Sequence, residues 1–139
     1  MKRGISLSGY KGIDFIDPIE RAKQHELTKS LWQKLREMGV KTGNKGRIKG
    51  IMIANSYEQA EEVRALYQDD FDASICKQYD NSTHIVEITT PISRLSVEAL
   101  LDLTDILMVS AAETNSKFDG LELDMHEVKK LNPPWWKFW

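Results

Sequence analysis

An α+β fold is the class this sequence predicts, and three observations predict it. Between residues 47 and 128, two helical patterns alternate with runs rich in β-branched residues, in the order β-α-β-β-α-β. Capping signals mark the start of each helix, and turn residues separate the second and third strand-like runs. A further helical pattern precedes this unit, so the whole reads as a helix followed by β-α-β-β-α-β.

The elements follow in order along the chain. Residues 1–17 carry three glycines and no clean periodicity, which reads as a flexible or loosely docked arm. Asp17 and Pro18 open a helix over 18–39, as an N-cap and a first-turn proline do. Its expected apolar stripe is Ile19, Ala22, Leu27, Leu31, Leu35 and Met38, widened by Trp32, and Gly39 stops it. Lys41-Thr42-Gly43-Asn44-Lys45 reads as a linker. Ile48 to Asn55 is a mostly buried strand. Ser56 with Gln59 forms a capping box for a helix from Tyr57 to about Asp69, with Ala60, Val63, Leu66 and Tyr67 inward.

Phe71 to Tyr79 predicts a second strand, and Asp80-Asn81-Ser82 a turn. Thr83 to Thr90 is the third strand, closed by Pro91. Ser96 caps a helix from Val97 to about Thr114. Leu103, Ile106 and Val109 lie off its main apolar face, so burial on more than one side is expected, with the N-terminal helix as the cover. Leu121 to Met125 alternates strictly, as a half-buried strand does. Residues 129–139 read as an aromatic tail. With right-handed crossovers, the simplest arrangement is a ferredoxin-like sandwich with an additional N-terminal helix. Four strands then carry two helices on one face, the third and fourth strands flanking the first.

Composition narrows the function. The chain has 139 residues, enough for one domain with a usable core. Its 19 basic and 21 acidic side chains give a formal net charge of −2, without the basic excess of a non-specific nucleic-acid binder. RNA-recognition modules share this element order but stack bases on aromatic residues of the first and third strands. Ile51-Met52-Ile53-Ala54-Asn55 and His84-Ile85-Val86-Glu87-Ile88 contain none, so no direct nucleic-acid contact is expected. No apolar run approaches the roughly 20 residues of a membrane span, and no secretory leader is legible. With Cys76 as the lone cysteine, a reducing, cytoplasmic setting is expected.

Catalytic signatures are missing: there is no Walker loop, GxGxxG, HExxH or nucleophile elbow. His25, His84 and His126 fall on different elements and read as surface or edge histidines, and Cys76 as a small strand residue. No metal, cofactor or catalytic residue is expected, and the chain reads as a non-enzyme. The candidate partner-binding residues are instead on the open sheet face. If Leu121, Leu123 and Met125 face the helices, Glu122 and Asp124 face away, and Glu87 faces out with Ile85 and Thr89. Such an acidic, partly apolar face suits a basic protein surface. Three of the four tryptophans lie in the last five residues, which adds Trp135 and Trp136 as candidate contacts.

Four stretches resemble the bacterial family called regulator of ribonuclease activity B, the ribonuclease E inhibitors. They are the helix Leu31-Trp32-Gln33-Lys34-Leu35-Arg36-Glu37-Met38-Gly39, the Ala/Glu-rich helix at Ser56 to Leu66, and the Pro-Ile-Ser-Arg-Leu connection at Thr90 to Leu95. The fourth is Lys117-Phe118-Asp119-Gly120-Leu121-Glu122, where the family tends to have aromatic-Asp-Gly-Trp. Together they span about Trp32 to Glu122. Leu121 stands in place of the family's usual tryptophan, and the acidic tails of its best-known members are absent. The resemblance implies a ferredoxin-like fold and a non-enzymatic protein that binds the scaffold region of ribonuclease E. It adds Asp119 and Gly120 to the candidate contacts. Two other classes stay open: a small-molecule-binding regulatory domain acting as a dimer, and an enzyme using His84 or His126 with a carboxylate. The oligomeric state is not legible.

Overall fold

A computed structural model describes residues 16–77 and 82–133 of the chain. The Asp17 carboxylate accepts the Ile19 N–H at 3.1 Å, and α1 (Pro18–Glu37) starts there. It ends at Gly39, whose φ of +102° suits a residue without a Cβ. The chain then forms β1 (Lys45–Gly46), β2 (Lys49–Ala54), α2 (Tyr57–Tyr67), β3 (Asp72–Lys77) and β4 (His84–Thr89). It continues through β5 (Ser93–Arg94), α3 (Val97–Thr114), β6 (Lys117–Glu122) and α4 (Met125–Leu131).

Both capping signals work as read. Ser56 accepts the Gln59 N–H at 3.1 Å, and the Gln59 side chain accepts the N–H of Asn55 at 2.7 Å. Ser96 accepts the Ala99 N–H at 3.0 Å. Each cap satisfies a first-turn donor that would otherwise be unpaired, worth about 1 kcal/mol.

The fold is a mixed α+β sandwich. Its four-stranded antiparallel sheet has the order β3-β4-β2-β6, so the last two strands of the β-α-β-β-α-β unit flank the first. Strand pleating sorts the side chains. Gly50, Met52 and Ala54 pair with Ile88, Val86 and His84, and all six are buried beneath α2 and α3. Ala60, Val63 and Tyr67 of α2 and Leu100, Leu103 and Leu107 of α3 close that core. Burying each large aliphatic chain stabilises the fold by roughly 1.5–3 kcal/mol. α3 is buried almost without interruption from Leu103 to Ala111, as a helix covered on two sides must be, and α1 supplies the second cover.

Four expectations need correction. The stripe of α1 is rotated: Ile19 and Leu27 are 79% and 57% exposed, Met38 is exposed too, while Thr28, Trp32 and Leu35 are buried. Part of the seam with α3 is polar, through Arg21, His25 and Thr28, which an apolar periodicity search passes over. The last strand begins at Lys117 and ends at Glu122, earlier than the alternation of Leu121 to Met125 suggested. Asp124 is not on the sheet; it caps α4, accepting the N–H groups of His126 and Glu127 at 3.0 and 3.2 Å. Finally, Lys45–Gly46 is not all linker but pairs with Ser93–Arg94 in a second, two-stranded sheet. Asn132, just past α4, accepts the Lys45 N–H and donates to the Lys45 carbonyl, tying α4 to that small sheet.

Candidate functional site

The alternation that buries Met52 and Val86 turns Ile51, Ile53 and Ile85 to the opposite face of the sheet. Among the described residues no helix packs there: α2 and α3 lie on the other face, α1 reaches only α3 and β6, and α4 only β1. The three isoleucines are half-buried, with Ile53 directly opposite Ile85. Cys76 of β3 sits opposite Ile85 and extends the apolar strip toward that edge. On the β6 side Lys117 faces Ile53, and Gly120 faces Ile51.

Charge gathers at one end of this strip. Lys49 stands opposite Thr89 on one neighbouring strand and Glu122 on the other. Its ammonium lies 3.5 Å from a Glu87 oxygen and 3.9 Å from a Glu122 oxygen. Both carboxylates therefore face outward, as predicted. The face is not simply acidic, however, because the lysine between them shares both charges. Each such exposed pair contributes only about 0–1 kcal/mol, so the cluster adds little to the stability of the fold.

The remaining predicted contacts separate. Asp119 is the extra residue of a bulge: Gly120 pairs with Ile51 and Phe118 with Met52, leaving Asp119 without an opposite. Gly120 takes φ +129°, which a side chain would strain. Both line a groove of about 440 Å³ between β6 and α1, whose wall includes the exposed Leu27. Asp124 belongs to the α4 cap, and Trp135 and Trp136 lie outside the described residues.

Two of the three histidines are not the surface groups expected. The ring of His84 is 8% exposed on the helix-facing side of an interior strand, edge-on to Tyr57 at 5.9 Å between centroids. Among the described residues its Nδ1 has no hydrogen-bond partner. His25 joins a cluster that sequence reading missed. The buried Asp105 of α3 accepts two hydrogen bonds from the Arg21 guanidinium, at 2.9 and 2.8 Å, and a His25 Nε2 contact at 2.7 Å. Burial pushes the Asp105 carboxyl up, but the bonds and charges of Arg21 and His25 outweigh it and hold the carboxyl below its usual range. The bond to Asp105 likewise raises Arg21. Beside it Thr28 and Thr104 hydrogen-bond at 2.8 Å. The signal was present as Arg21, His25, Thr28, Trp32 and Leu35, one helical stripe of mixed polarity.

This cluster works as a helix clamp: each charged group is engaged across the α1–α3 seam and faces the partner helix. Among the described residues no group of three or more His, Cys, Asp or Glu is placed to hold a metal ion. No described helix is long and apolar enough to cross a membrane. No protein-family model matches this chain, and no curated protein matches it either.

Proposed function

We propose that this protein is a non-catalytic regulatory module that binds a protein partner through the open face of its four-stranded sheet. The observation that carries the reading is the outward strip of Ile51, Ile53 and Ile85, which no described helix covers and which ends in the Glu87–Lys49–Glu122 cluster. Apolar side chains on an uncovered sheet face, rimmed by charge, have the composition of an interface centre and its rim. The partner that fits is a protein segment presenting apolar residues beside basic ones, so that the basic groups meet the two carboxylates. The resemblance to the regulators of ribonuclease activity B names a first partner to try, the scaffold region of ribonuclease E, and a cytoplasmic role in modulating RNA decay.

Calorimetric titration of the full chain with that scaffold region tests the reading. Ile53→Lys sits at the centre of the strip and places its charge outside the core, so it is expected to weaken binding at least tenfold while the protein stays folded. Glu122→Lys, at the rim, is expected to weaken it by less and to lower the salt dependence. Equal affinity of wild type and Ile53→Lys removes the open face from the interface.

A further inference from the structure

At Asn132 the chain leaves α4, at a pole of the molecule where unpaired cations gather. Lys45 of β1 and Arg94 of β5 are both exposed and stand directly opposite each other in the two-stranded sheet. Directly opposed like charges repel, which weakens the pairing of their own strands. The Asn132 side chain bonds both the N–H and the carbonyl of Lys45. That contact brings the end of α4, with the exposed Lys129 and Lys130, against the small sheet. Lys41, also exposed, opens the turn into β1 by donating its N–H to the Asn44 side chain at 2.8 Å. Among the described residues none of these five cations is in an ion pair.

The local charge is opposite in sign to that of the whole chain. Residues 34–47, 93–95 and 124–132 carry eight lysines and arginines against three acids, although the formal net charge is −2. Of those acids, Glu127 is engaged by Arg47 at 3.6 Å and Asp124 caps α4. The neighbouring Glu87 and Glu122 are shared by Lys49. Apolar surface opens at the same pole. Met38 is 52% exposed, and it lines a groove of about 370 Å³ with Val40, Met125, Val128 and Lys129. The sequence after Asn132 is Pro133-Pro134-Trp135-Trp136-Lys137-Phe138-Trp139. Tryptophan favours the headgroup level of a lipid–water interface, where its ring is apolar and its N–H stays wet. Lysines and arginines beside it are drawn to anionic headgroups, and firm attachment takes two such signals together.

We propose that this pole docks on an anionic lipid surface. Lys41, Lys45, Arg94, Lys129 and Lys130 meet the headgroups, while Met38 and the tryptophans of residues 135–139 enter the interface. Headgroup phosphates relieve the repulsion between Lys45 and Arg94, which no described carboxylate relieves. The exposed aliphatic surface favours lipid over single-stranded RNA, which is held by stacking bases on aromatic rings. The contact is made at the surface and needs no membrane-spanning helix, of which the described residues have none. It does not rest on the reading of the open sheet face.

Flotation of the full chain with vesicles is the test, using phosphatidylcholine alone and phosphatidylcholine mixed with phosphatidylglycerol. Flotation with the mixed vesicles only, weakening as salt is raised, is expected. Trp32 is 6% exposed, so a shift of tryptophan emission to shorter wavelength on the mixed vesicles reports residues 135–139. Lys45→Gln with Arg94→Gln is expected to weaken partitioning at least tenfold without lowering the thermal midpoint, because it removes a repulsive pair. Lys129→Gln with Lys130→Gln, on the exposed side of α4, is expected to weaken it to a similar degree. Equal flotation with both vesicle types, no flotation, an unshifted emission, or flotation unchanged in both variants overturns the proposal. So does binding of a single-stranded RNA oligonucleotide in place of the mixed vesicles, which would reassign the pole to nucleic acid.

Discussion

Asp105 ties the first helix to α3 by charge, alongside the apolar burial of Trp32 and Leu35 on the same helix. It is 4% exposed and accepts from both Arg21 and His25 across the α1–α3 seam. Removing one partner from such a buried set strands the others, although the Arg21 side chain is 37% exposed and can recover water. Asp105→Asn is therefore expected to cost about 2 kcal/mol in chemical denaturation. The pH dependence follows from the sign of the shift. A carboxyl held below its usual range in the native state stabilises the fold at pH values above its unfolded pKa, about 3.9. That stabilisation fades as acid protonates the native carboxyl at a lower pH. The margin of wild type over Asp105→Asn is thus full above about pH 5 and shrinks on further acidification. A margin that grows as pH falls would contradict this account. Apolar periodicity marked only the Trp32 and Leu35 end of this face, because Arg21, His25 and Thr28 count as polar.

Elements were legible where the physics is local and misplaced where two local rules compete. Ser56, Ser96, Asp17 and Gly39 each announce a helix end through their own backbone chemistry, and each acts as read. The Leu121 to Met125 alternation satisfied the strand rule, but Asp124 also satisfies the N-cap rule for α4, and the cap won. Tertiary pairing moved β6 back to Lys117, where Phe118 and Leu121 meet Met52 and Gly50. Close approach explains the glycine in β2. A Cβ on Gly50 would lie 2.2 Å from Cδ1 of Leu107, so α3 rests directly on the strand backbone. Gly50→Ala is expected to destabilise by about 1–3 kcal/mol in thermal or denaturant unfolding, through overpacking. An unchanged midpoint would mean that α3 sits farther from β2 than described. The two-stranded pairing of β1 with β5 left no trace in the sequence, since two residues carry no period.

At the scale of the molecule, the sheet divides the described residues into a packed side and a side that no described helix covers. The α+β class could be read directly, as could the outward position of Glu87, because alternation in β4 is unbroken and Val86 and Ile88 are buried; Glu122 followed from Leu121, which turns inward opposite Gly50. The lysine between them could not, since the contact of Lys49 with both carboxylates depends on strand order rather than on spacing. The functional reading rests on this open side. Isoleucine methyl NMR tests it most directly, because the isoleucines report on both sides at once: Ile51, Ile53 and Ile85 point outward, whereas Ile88 is buried and Ile48 lines a cavity beneath α3. On titration with the ribonuclease E scaffold region, the Ile51, Ile53 and Ile85 methyls are expected to shift to saturation while Ile48 and Ile88 hold their positions. Saturable binding that leaves the three outward methyls unmoved, or no binding at all, would contradict the account.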